Sequence, residues 1–127
     1  MKRPYDRSFH PPAPAFEATV HAPDGRSRTI RAKLDTAADV SGLPRDLVDE
    51  LALPPARRVT TSTFRGEPVQ ARLHRGDLVV AGRRFAQVEW LPIGRPYALL
   101  GRDVLNDLVL RLDGPSLVTE VLRSRRP

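Results

Sequence analysis

Lys33-Leu34-Asp35-Thr36-Ala37-Ala38-Asp39-Val40-Ser41 carries an apolar run into a loop of Thr and Ala that opens with one carboxylate. Lys33 is the only base close to it in sequence. Burial disfavours the charged form of an acid, so a carboxylate in an apolar turn is costly to ionise and signals a use. Far downstream, Tyr97-Ala98-Leu99-Leu100-Gly101-Arg102-Asp103-Val104-Leu105 supplies a second apolar run that ends in Gly-Arg-Asp. Together the two segments predict a half-site that needs a partner.

Working outward, the residues around these segments read as short strands. Phe16, Ala18 and Val20 alternate with Glu17, Thr19 and His21, and the Asp24-Gly25 turn leads into Thr29 to Leu34. This is the pattern of a β-hairpin whose second strand ends at Asp35. Pro44 to Leu51 predicts a short helix, with Pro in the first turn and Leu47, Val48 and Leu51 on one face. Asp46, Asp49 and Glu50 are expected on its solvated side. Strands are expected from Val59 to Phe64, Pro68 to Leu73, Leu78 to Val80 and Phe85 to Trp90, separated by turns at Arg65-Gly66 and Ala81-Gly82. By odd-even count Phe85 and Trp90 face different surfaces. A brief helix over 103–108 and a closing hairpin, 109–112 with 117–122, complete a mostly-β reading.

Composition bounds the rest. The 127 residues fit one domain with an ordinary core, at an apolar fraction of 40% and with 13 prolines. Residues 1–15, rich in Pro and charge, read as an extended arm, disordered or draped on a partner. Residues 16–122 form the expected domain and 123–127 a basic tail. The formal charge is +6, nearly all of it from Arg, with Lys only at positions 2 and 33. A basic balance can attract phosphates. The arginines here are scattered, however, and no aromatic residues interleave with them as a stacking platform, so nucleic acid is not the expected partner. Without cysteine there is neither disulfide nor thiolate metal site. His10, His21 and His74 have no ligand spacing, and no metal or cofactor is expected. With no signal peptide and no run of membrane-spanning length, the cytoplasm is the expected compartment and the membrane is not a partner.

Leu34-Asp35-Thr36-Ala37-Ala38-Asp39, followed by the Pro44–Leu51 segment, resembles the active-site loop of retropepsin-like (clan AA) aspartic proteases of the single-lobe bacterial type. Leu99-Leu100-Gly101-Arg102-Asp103-Val104-Leu105 resembles that family's second signature, two apolar residues followed by Gly, Arg and an acid or amide opening a helix. The resemblance covers roughly residues 16–122. It implies an acid-protease β-barrel lobe with a flap hairpin and one or two short helices. It implies Asp35 as the catalytic aspartate, with Thr36, Ala37 and Ala38 as the active-site loop and Thr36 bonding across a dimer axis. It implies Asp39, with Thr63, Phe64, Arg65 and Gly66 of the flap, as substrate-binding residues. Gly101, Arg102 and Asp103 would be structural support, Arg102 pairing with Asp39.

The implied activity is that of an aspartic endopeptidase acting on a peptide or protein as a homodimer, because one chain supplies a single aspartate and the reaction uses two. Ala37 departs from the pattern: the family carries glycine there, which permits close backbone approach. The methyl is the smallest possible addition, and the backbone carbonyl survives. The alternative is a peptide-binding or dimerisation module in which Ala37 marks weak or lost catalysis. Asp103 has a plain alternative too, a favourable charge at the positive end of its helix.

Overall fold

The computed structural model describes residues 1–62 and 65–123. In chain order its elements are β1 (Lys2–Pro4), β2 (Ala15–His21), β3 (Ser27–Leu34), β4 (Gly42–Pro44), α1 (Arg45–Glu50), β5 (Pro55–Ser62), β6 (Pro68–Val80), β7 (Arg83–Ile93), β8 (Ala98–Leu100), α2 (Arg102–Leu105), β9 (Val109–Asp113) and β10 (Val118–Leu122). A seven-stranded sheet runs β2-β3-β8-β4-β7-β6-β5, and an additional β2–β6 pairing rolls it into a barrel. A three-stranded sheet, β1-β10-β9, lies apart from it in pairing. The fold is mostly β, as its alternating pattern predicts.

The barrel closes over Phe16, Val20, Leu43, Leu51, Leu78, Val80, Trp90 and Leu100, all buried. Removing each such side chain from water stabilises the fold by about 1.5–3 kcal/mol. Trp90 satisfies its one donor inside the core, its indole N–H reaching the Gly76 carbonyl at 3.1 Å. Helix α1 is too short to hold itself together and depends on burying Leu47 and Val48. Asp46, Asp49 and Glu50 are exposed on it, as expected.

Three expectations are corrected. The N-terminal arm is tied into its own chain: β1 pairs antiparallel with β10, and Asp6 bridges to Ala13. The Arg31 Nε also holds the Asp6 carboxylate at 2.9 Å. The prolines there shape a clasp whose Ala13 and Ala15 are buried. Second, the segments over 68–73 and 78–80 are one strand of 13 residues, β6. Gly76 does not break it. A Cβ at Gly76 would meet Leu53 at 3.1 Å and Val20 at 3.3 Å, so its glycine serves close packing. Third, Phe85 and Trp90 both pack on the core. The β6–β7 register shifts between Gly76 and Leu78, an extra residue sits in β7, and Gln87 adopts a φ of 51°. Such a bulge reverses the odd-even count. β4 and β8, too short to show a period in sequence, position the site through parallel pairing with β7 and β3.

Candidate active site

Strand β3 delivers Asp35 to the surface beside the end of β8. The two strands run parallel, Leu34 opposite Leu100, and the Asp35 amide donates to the Leu100 carbonyl at 2.9 Å. The chain then turns. The Ala38 amide donates to the Asp35 carbonyl at 3.2 Å, and the Ala37 amide donates to the Asp35 carboxylate Oδ1 at 3.1 Å. An acid bonding the backbone two residues on is an ordinary Asx turn, and here it fixes the direction of the carboxylate. Asp35 is half-buried, whereas Thr36 and Ala37 are exposed.

The second motif locks this turn from below. The Arg102 amide donates to the Ala38 carbonyl at 2.9 Å, and Arg102 Nη1 donates to the Thr36 carbonyl at 2.8 Å. The same guanidinium forms an ion pair with Asp39 through Nη2. One arginine therefore ties three points of the loop. Gly101 explains why no side chain stands between them: a Cβ there would lie 2.8 Å from the Val40 carbonyl carbon and 2.9 Å from the Ala38 oxygen. Its φ is an ordinary −89°, so the glycine is required by contact and not by conformation.

Ser41 and Asp103 complete the junction. Ser41 is fully buried; its hydroxyl donates to Asp103 Oδ1 at 2.8 Å and accepts the Gly101 amide at 3.0 Å. The Ser41 amide donates to Asp103 Oδ2 at 3.1 Å, and Asp103 Oδ1 also accepts the Val104 amide at 3.0 Å. Asp103 thus does more than sit at a helix end; it bridges the two segments. Sequence reading quoted Ser41 without giving it a role. The signal available was a lone hydroxyl closing an apolar loop that must bury its backbone.

Lys33, the one nearby base, is occupied elsewhere. Its ammonium lies 4.8 Å from the Phe9 ring centroid and 5.9 Å from that of Tyr97, and the two rings meet edge to face at 4.8 Å. The N-terminal clasp therefore reaches the base of the Asp35 loop, which the arm reading missed.

Of the expected flap residues, Thr63 and Phe64 lie outside the described residues. Arg65 and Gly66 are exposed at the turn between β5 and β6, with Gly66 at a φ of 77°. Among the described residues, no hydrogen bond or ion pair joins Arg65 or Gly66 to the Asp35 loop. No group of three His, Cys, Asp or Glu able to hold a metal occurs among the described residues either. Asp35 lines neither the cleft of about 460 Å³ bounded by Val40, Phe85 and Asp103 nor that of about 320 Å³ bounded by His21, Arg75 and Asp77.

No protein-family profile matches the chain, and no curated protein matches it in sequence. Its structure, in contrast, is similar to solved proteases. The simian foamy virus (mac) protease matches with a TM-score of 0.56 at 19% identity, over 73% of this chain and 92% of that one. The EIAV protease complexed with the inhibitor HBY-793 matches with a TM-score of 0.56 at 23% identity, over 75% and 86%. A retropepsin-like aspartic protease from Rickettsia conorii matches with a TM-score of 0.55 at 18% identity, over 86% and 92%.

Proposed function

Starting from a retropepsin-like fold, we propose that the chain is an aspartic endopeptidase that works as a homodimer through paired Asp35 residues. The observation that carries this reading is the junction itself. Two distant segments are cross-braced by Arg102, Ser41 and Asp103, and the whole brace serves to hold one carboxylate-bearing turn at the surface. Asp35 borders neither described cleft of the single chain, which suits half of a shared site. Four of the five large apolar side chains left exposed among the described residues, Met1, Val109, Leu112 and Leu122, border or lie on the three-stranded sheet. Exposed apolar surface gathered on this one small sheet favours association there.

In the dimer, one Asp35 carboxylate takes a proton from a water while its mate, protonated, polarises the scissile carbonyl. Two carboxyl groups about 3 Å apart cannot both ionise, so they share one proton, which is the known behaviour of aspartic-protease dyads. Thr36 and Ala38 line the turn, and Asp39, with the hairpin between β5 and β6, contacts an extended peptide. Ala37 is compatible with turnover: its φ is not in the left-handed region that would require glycine, and its methyl is exposed. The decisive experiment is Asp35→Asn, assayed on a peptide library at acid and neutral pH. Hydrolysis should fall by roughly 100- to 10,000-fold while the dimer persists in sedimentation, and the unaltered protein should work best in acid. Cleavage that survives the substitution ends the reading.

A further inference from the structure

The paired part of the β5–β6 hairpin is strongly basic. Between residues 55 and 75 stand Arg57, Arg58, Arg65, Arg72 and Arg75 against one acid, Glu67. Arg57 is neutralised by Glu89 at 3.2 Å. Arg58 and Arg72 are not: both are exposed, they face one another across the β5–β6 ladder, and neither has an ion pair among the described residues, Arg72 Nη1 donating only to the neutral Ala56 carbonyl at 2.8 Å. Like charges directly opposite on a sheet destabilise it. Their face continues with Thr60 and Gln70, joined at 3.0 Å, and with Ser62 opposite Pro68.

β5 is also the free edge of the seven-stranded sheet, pairing among the described residues with β6 alone. A free edge presents alternating N–H and C=O groups ready for another strand. Charge on an edge guards against aggregation, but one charge is enough for that, and a facing pair of arginines costs stability. We propose that the β5 edge is a docking strand for an extended, acidic segment of polypeptide. The segment's backbone adds to the edge, and its carboxylates meet Arg58 and Arg72 in the fork geometry that guanidinium groups favour.

Charge and hydrogen-bond pattern select this occupant over others. A second copy of β5 would bring guanidinium against guanidinium. A nucleic-acid backbone offers phosphate acceptors but no donors for the edge carbonyls, and none of the six residues on the Arg58 face is aromatic. The docking strand does not depend on catalysis, so it can fail or stand independently of the protease reading.

The test is fluorescence anisotropy on the full chain with labelled peptides as long as β5. One alternates Thr with Glu, a second replaces Glu by Gln, and a third repeats the first with alternate backbone nitrogens methylated. The Glu peptide should bind with an affinity that falls as salt rises. The Gln peptide, the methylated peptide and the Arg58→Gln/Arg72→Gln variant should each weaken binding roughly tenfold. Arg58→Glu, checked for folding by circular dichroism, should instead prefer a Thr–Arg peptide. The proposal is overturned if the methylated peptide or the double variant binds as well as its reference. It is equally overturned if single-stranded DNA of equal charge binds more tightly than the Glu peptide.

Discussion

The Asp35 junction and the β5–β6 hairpin are held by different means. At the junction, Thr36, Ala38 and Asp39 all converge on Arg102, while Ser41 and Asp103 knit Val40's neighbours to Gly101. The hairpin relies on its own ladder, on side-chain bonds from Gln70 to Thr60 and from Arg72 to the Ala56 carbonyl, and on one ion pair at its base. A carboxylate that must meet its twin within hydrogen-bonding distance needs over-determined support. A strand pair that receives a polymer needs unspent backbone and charge. The contrast teaches that this chain puts its buried polar bonds where position matters and leaves them out where contact matters.

That contrast can be broken at several points. The largest effect is expected from Gly101→Ala, because the new methyl would press on the main chain at 2.8 Å and not on a yielding side chain. It should cost about 3 kcal/mol or more in chemical denaturation and remove hydrolysis with it. Ser41→Ala comes next. It leaves the buried Gly101 amide and an Asp103 oxygen short of partners, and should cost about 1–3 kcal/mol by the same measurement. If Ser41→Ala proves neutral, the junction is less braced than its geometry shows.

A third, smaller effect lies in pH. The Gln87 amide, with Arg84 behind it, lowers the pKa of Asp77 below its ordinary 3.8. The folded value is depressed, so this contribution is present above pH 3.8 and is lost as pH falls through the folded value. Asp77→Asn should flatten the acid limb of a stability-against-pH curve, and an unchanged limb would show that other acids set it. The smallest effect belongs to the hairpin. Gln70→Ala removes one exposed bond and should shift stability by no more than about 0.5 kcal/mol. A loss as large as that of Ser41→Ala would erase the distinction between the two regions.

Sequence revealed the parts whose signals are local. The β2–β3 hairpin follows from alternation and Asp24-Gly25, and α1 from Pro44 and its apolar face. The Arg102–Asp39 ion pair was legible because the resemblance named both partners. What stayed hidden was pairing at long range. Nothing local in Lys2 to Pro4 announces a strand whose partner lies at Val118 to Glu120. The bulge at Gln87 was invisible because one added residue leaves composition unchanged while turning Phe85 to the opposite face. Ser41 escaped because its importance comes from an amide and a carboxylate on another segment.

Gly101's lack of a side chain also bears on how this protein can be recombined. The space it leaves is shaped by Ala38 and Val40, and its buried amide donates to Ser41. Residues 35–41 and 101–103 therefore behave as one transplantable cassette despite their distance in sequence. A chimaera that imports a foreign catalytic loop alone would inherit a lock without its key. One that exchanges both segments together keeps every brace between them.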